Sequence, residues 1–322
     1  MNSLIHARHS LKTRITLATL AIFVAGLWSL SYYASSMLRQ DMERQLGEQQ
    51  LSVVTAIASD INQHFADRIA GLEAVAPSLM QAMQQSPAAT QAAIEQRPIL
   101  AVLFNAGIWV TDSEGNTIAS IPTSVGRVGV NFMDRDHIAA ALKEGKATIG
   151  QPVVGKKLQT RVIPIGVPIR NAQGKVIGAL SGTINLGMPN FLDRIVNKGY
   201  GNTGGYVLVA PRSRLIIAAT DSKRIMEVLP APGISPRLDR FIDGFEGTDV
   251  HISPRGVEVL VSAKQIPAAG LYMASVLPTL EAFAPIHDMQ KRMLWATILL
   301  TLLAGGLTWW VLWRQLKPIR IA

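Results

Sequence analysis

Apolar and polar positions divide the chain into segments of three kinds. Two stretches are apolar without a break: Ile15 to Ala34 (ITLATLAIFVAGLWSLSYYA) and Met293 to Trp313 (MLWATILLTLLAGGLTWWVLW). Neither holds a charge. Each is about 20 residues, enough at a rise of ~1.5 Å per residue to cross a hydrocarbon core of ~30 Å. From Leu38 the pattern changes, and apolar residues recur at steps of three and four: Met42, Leu46, Val53, Ile57, Ile61, Phe65, Ile69, Leu72. This spacing predicts one long amphipathic helix over 38–76. Pro77 is expected to kink or end it, and Pro87 to close the helical stretch that follows.

Beyond residue 100 the period shortens to that of strands. Leu103 to Asp112 reads as a strand, Ser113 to Asn116 as a turn, and Thr117 to Pro122 as the returning strand. Asp134 to Gly145 (DRDHIAAALKEG) predicts a short helix with Asp134 as N-cap and Gly145 as its stop. Thr160 to Arg170 and Lys175 to Leu186 predict a hairpin through Asn171 to Gly174. The cycle then repeats in architecture though not in residues. Gly204 to Pro211 pairs with Arg214 to Asp221, and Val257 to Pro267 with Gly270 to Pro278. The expectation is an α+β fold: a distal sheet module at about 100–187 and a proximal one at about 197–285, both antiparallel and both on one helix.

Composition supports a mixture of membrane and water-exposed chain, since 48% of residues are hydrophobic and 16% are charged. The net charge of +9 gathers beside the apolar stretches. Arg8, Lys12 and Arg14 precede the first; Arg314, Lys317 and Arg320 follow the second, with no acidic residue in either cluster. The opposite flanks mix signs. The bias of positive charge toward the cytoplasm then orients the chain. Residues 1–14 are expected inside, 15–34 and 293–313 across the membrane, 35–290 outside, and 314–322 inside again. Trp28, Tyr32 and Tyr33, and Trp309, Trp310 and Trp313, suit headgroup depth. Small residues at Ala34 to Ser36 keep a cleaved signal peptide open, although the apolar run is long for one.

Several function classes fall away. The chain has no cysteine, so it forms no disulfide and offers no thiolate. No basic stripe interleaves with aromatics, which argues against nucleic acid. His6, His9, His64, His251 and His287 are scattered without metal-ligand spacing. No phosphate loop, nucleophile elbow or paired acid and base is present, so neither catalysis nor a cofactor is expected.

Four stretches together resemble a double Cache (PDC-type) sensor domain. They are DRDHIAAALKEGKATIGQPVVG (134–155), VIPIGVPIRNAQGKVIGALSGTINL (162–186), the run from Gly199 to Asp221, and GLYMASVLP (270–278). RQLKPIRIA (314–322) is similar to the opening of a HAMP linker. The resemblance implies two PAS-like modules, a small ligand held by the distal one, and output through the second membrane helix. In amino-acid-binding members an Arg-x-Trp-Tyr run opens the pocket helix and an Asp lies on the last distal strand. Here Arg135 matches the arginine, His137 stands at the Trp position, Ile138 at the Tyr position, and the Asp position falls near Thr183. The grip on a carboxylate remains and the grip on an ammonium group is missing, so the resemblance points to a carboxylate or other anion.

The residues add their own case. Arg135 lies at a predicted helix N-terminus, where free N–H groups favour an anion. His137 shares that turn, and Arg161 opens the strand expected to face it. Arg135, His137, Arg161 and Thr183 are therefore the candidate ligand contacts. Solvated pairing of Arg135 with Asp134 or Asp136 is the bland alternative, and Trp109 reads as core rather than pocket. The whole predicts the input region of a bacterial inner-membrane receptor with a periplasmic domain, working as a homodimer. The expected output, on a further segment of the same chain or on a separate partner of a stand-alone sensor, is a diguanylate cyclase first, a chemotaxis transducer or histidine kinase behind it. The rivals are a non-sensing membrane anchor that binds another protein, and an extracytoplasmic hydrolase.

Overall fold

The computed structural model describes residues 11–193 and 199–315. Arg8, Lys317, Arg320 and the HAMP-like segment after Gln315 lie outside the described residues. Two compact units are present: Gly47–Glu281, and the terminal segments up to Leu46 and from Ala282.

The long helix, α1, runs Leu11–Gln85 with Pro77 inside it. The proline neither ends the helix at 76 nor separates a second one. Burial of Val75, Ala76 and Leu79 around it outweighs a helix-interior proline penalty of about 3 kcal/mol. Pro87 opens α2 (Pro87–Glu95) rather than closing a helix. Ser86 is the N-cap, its hydroxyl accepting from the Ala89 N–H, and proline suits the first helical turn because the N–H it lacks would be unpaired there. A short α3 (Pro98–Leu103) follows, taking up Leu103, which the apolar pattern assigns to the start of a strand.

The distal sheet contains β1 (Ile108–Asp112), β2 (Thr117–Ile121), β3 (Thr148–Ile149), β4 (Val153–Val154), β5 (Arg161–Arg170) and β6 (Val176–Asn185), ordered β2-β1-β6-β5-β3 with β4 also on β5. Gln91 on α2 seals its outer edge, donating to the Ser120 carbonyl at 3.1 Å and accepting from the Ser120 N–H at 2.9 Å. Between β2 and β3 lies α4 (Asp136–Ala139), which continues as a wider π-helical turn over Ala140–Glu144 and stops at Gly145 in a left-handed conformation. The proximal sheet contains β7 (Gly205–Ala210), β8 (Leu215–Ala219), β9 (Gly247–Ile252), β10 (Glu258–Ile266) and β11 (Leu271–Pro278), ordered β8-β7-β11-β10-β9. An unforeseen helix, α5 (Pro236–Ile242), precedes β9.

Both sheets turn one face to α1. Ile61, Phe65 and Leu72 from the helix share a core with Ile163 and Ile165 of β5 and with Leu208 and Met273 of the proximal sheet. The apolar stripe of the helix thus packs on its own chain. Polar pins fix the helix position. Gln50, fully buried, donates to the carbonyls of Leu260 (3.3 Å) and Ser275 (3.2 Å). Asn62 accepts from the Ala268 N–H at 2.9 Å, and Arg68 donates to the Leu103 carbonyl at 3.1 Å.

The short α6 (Thr279–Ala282) closes the first unit, and the other unit holds the start of α1 and α7 (Ala284–Gln315). The described part of α1 and α7 each contain a stretch long and apolar enough to cross a membrane. The two are joined by polar contacts: Trp28 Nε1 donates to Thr301 Oγ1 at 3.2 Å, and Thr297 Oγ1 to Ser31 Oγ at 2.8 Å. Ile22, Leu302 and Trp309 are largely exposed, as apolar side chains facing lipid would be.

Candidate ligand-binding site

Strand alternation gives each sheet a second face, away from α1. On the distal sheet that face carries Trp109 of β1, Val162 and Pro164 of β5, and Thr183 of β6. Pro164 and Thr183 are direct cross-strand neighbours. The segment from Gly126 to Leu158, including α4, folds over this face and leaves a small cavity, open on one side, between them.

Glycines allow the close approach. A Cβ on Gly150 would lie 2.6 Å from Asp136 Oδ1 and 2.8 Å from His137 Nδ1, and one on Gly166 would meet the His137 carbonyl at 2.8 Å. The helix therefore seats directly on β5. Asp136 Oδ1 accepts from the His137 N–H and Oδ2 from the Gln151 N–H, both at 2.8 Å. Burial acts to raise the Asp136 pKa, but these hydrogen bonds and the His137 ring hold it below the usual carboxylate value.

His137 is almost wholly buried, with Nδ1 3.4 Å from Asp136 Oδ1. Desolvation is the main influence on it and pushes its pKa down, so the ring is neutral at pH 7. A proton on Nδ1, facing Asp136, leaves Nε2 as an acceptor. Among the described residues that Nε2 has no partner. Trp109 Nε1 and Thr183 Oγ1 are likewise buried without partners, and all three residues line the cavity. An unmatched buried polar atom costs about 1–3 kcal/mol. Three around one cavity mark a place for a polar molecule.

The charge is one-sided. Arg127, Arg135, Lys156 and Lys157 line the cavity, and among the described residues no carboxylate does. Arg127 is 2% exposed. It donates to the Ala106 carbonyl at 2.6 Å and reaches Ser120 Oγ at 3.4 Å, and its guanidinium lies 4.9 Å from the centre of the Trp109 ring. Burial lowers its pKa to about 10, which leaves it cationic at neutral pH. Among the described residues no carboxylate pairs with it. Lys156, by contrast, is matched by Asp134 at 2.5 Å, a hydrogen bond that holds the Asp134 pKa down.

The structure brings together three of the four sequence candidates. Arg135, His137 and Thr183 line the cavity; Arg161 does not. Arg161 is exposed at the start of β5, and alternation sets it on the opposite face from Val162 and Pro164. Asp134 is not the N-cap, because α4 begins at Asp136 with Arg135 in the cap position. Trp109, read as core, both packs on Phe132 at 5.2 Å and walls the cavity. Arg127 was not singled out. Its setting, between Gly126 and Gly129 with φ of 68° and 81°, signals a turning loop and nothing about burial.

Two like-ordered sheets on one long helix, with a cavity on the far face of each sheet, define a two-module α+β domain joined to two apolar helices. A Cache-domain family model matches residues 34–286, and the chain belongs to that family. No curated protein is significantly similar to it. Solved structures share the fold. The ligand-binding domain of Mlp24 with asparagine is 20% identical, with a TM-score of 0.57 over 78% of this chain and 99% of that one. The ligand-binding domain of the Pseudomonas fluorescens chemoreceptor CtaA with L-isoleucine is 19% identical, TM-score 0.57, over 77% and 97%. That of the Pseudomonas aeruginosa PAO1 amino acid chemoreceptor PctC with GABA is 22% identical, TM-score 0.54, over 74% and 100%.

Proposed function

We propose that this chain is the ligand-sensing input region of a transmembrane signal-transduction receptor, and that its ligand is a small carboxylate or similar anion without an ammonium group. One observation carries the reading: the distal cavity offers cations and unmatched hydrogen-bonding atoms but no carboxylate. The molecules named with the similar structures, asparagine, L-isoleucine and GABA, each bear both a carboxylate and an ammonium group. Arg127 suits the first by a charge-assisted, two-pronged contact. Nothing in the lining suits the second. His137 Nε2, as an acceptor, favours a ligand that also carries a hydroxyl.

In this reading residues 35–290 lie in the periplasm, the apolar helices cross the inner membrane, and both termini are cytoplasmic. Ligand binding biases two packings of a homodimer by its difference in affinity for them, and the second membrane helix passes the shift inward. The chain itself is not a catalyst. Its output is a diguanylate cyclase or, behind that, a chemotaxis transducer or histidine kinase; the family resemblance supports this order. The test is a thermal-shift screen of the full chain in detergent against organic acids, with amino acids alongside. L-lactate or a related acid is expected to raise Tm in the wild type and not in Arg127→Met. A flat response to every acid favours a non-sensing anchor, and a response to amino acids alone removes the anion reading.

A further inference from the structure

The proximal module has a cavity of its own, open to solvent on one side, on the sheet face turned away from α1. Its walls are Val207 and Val209 of β7, Val259 and Val261 of β10, and Ala274 and Val276 of β11, with Phe241 of α5 opposite. Four groups there carry a polar or charged side chain; one of them, Ser253, already accepts from the Val257 N–H at 3.3 Å. Tyr272 is buried, and burial raises its phenol pKa, so it is neutral. Arg224 is matched by Glu227 at 3.1 Å, which also meets Arg255 at 3.3 Å. His251 is 8% exposed, its ring 6.0 Å from that of Phe241, and its Nδ1 is buried without a protein partner.

We propose that this cavity is a second ligand site, for a small neutral molecule with a compact apolar body and a single hydroxyl that meets His251 Nδ1. The apolar walls exclude a strongly hydrated ligand, since polar groups without partners are costly to bury. The paired state of Arg224 leaves no free charge for an anion, which separates this site from the distal one. An apolar wall of this kind gains by taking up an apolar guest, and the guest's hydroxyl supplies the hydrogen bond that His251 Nδ1 lacks among the described residues. Burial also lowers the His251 pKa, with Asp249 opposing and Arg237 adding, so the neutral ring is ready to bond.

The test uses the full chain in lipid nanodiscs with 15N-labelled histidine, titrated with phenol and with cyclohexanol. The His251 ring signals are assigned by their loss in His251→Phe. They are expected to shift saturably, with a Kd on the order of 1 mM, while the His137 signals stay still; benzene, lacking the hydroxyl, should shift them less. Ala274→Leu narrows the cavity and is expected to weaken binding at least about tenfold. Should that variant fail to fold, Val276→Leu takes its place on the same wall. No saturable His251 shift with either alcohol overturns the proposal. So does a shift of equal size in the narrowed cavity, which would place the probe in lipid or on the surface.

Discussion

The distal and proximal modules order their strands alike, β2-β1-β6-β5-β3 against β8-β7-β11-β10-β9. Each gives one face to α1 and encloses space behind the other. Their contents differ in kind. On the distal wall Trp109, His137 and Thr183 present unmatched polar atoms beneath Arg127. On the proximal wall the corresponding strands present valines, Ala274 and a single unmatched histidine nitrogen. Topology therefore sets where a cavity forms, and a handful of outward alternate positions sets what it accepts. A two-residue period lets evolution change one face while the core against the helix stays apolar.

The largest expected effect is at Arg127. In Arg127→Met, acid binding should weaken by upward of about 30-fold, the loss of about 2 kcal/mol or more seen when one partner of a buried charge pair is removed. Stability of the ligand-free protein should hold or rise, because an unpaired buried cation is a burden on the fold. Calorimetric titration and ligand-free melting check the two halves separately. An undiminished affinity would make the distal cavity no more ionic than the proximal one.

Next is Thr183→Asp, which adds the carboxylate that the distal wall lacks. It should lower acid affinity by at least about tenfold, since like charges a few ångströms apart repel by kilocalories at protein dielectric. Amino acids should begin to bind. Competition between L-lactate and L-alanine reads the exchange, and unaltered preference would show that Thr183 does not face the ligand.

A smaller effect concerns acid stability. His137 and His251 are both held below the ordinary 6.5 by burial. Below about that pH the unfolded chain binds protons that the folded chain resists, so stability falls as pH drops from 6.5 toward the lowered folded values. Tm should decline between about pH 7 and pH 5, and His137→Phe should remove part of the decline. Melting curves that do not move over this interval contradict it. The least effect is expected of Arg161→Ala: with its side chain on the other face, acid affinity should stay within about twofold, and a tenfold loss in the same titration would redraw the site.

The reading of the sequence succeeded where the physics is local. The alternating runs became β5, β6, β10 and β11 nearly to the residue, and Gly145 stopped its helix as expected. It missed where a neighbour decides. Pro77 stays helical because the core packs around it, Leu103 ends a helix rather than starting a strand, and Arg161 faces away because register, not proximity in sequence, assigns faces.

By itself the sequence determined the apolar spans and the strand and helix periods, since each is written in the order of neighbouring residues. Only the tertiary structure decided that Arg127 lies buried over Trp109 with no carboxylate beside it, and that Trp109, His137 and Thr183 leave polar atoms unmatched around the same space. Burial and pairing belong to residues far apart along the chain, and a pattern of neighbours carries no record of who meets whom once the loop from Gly126 to Leu158 has folded back on the sheet.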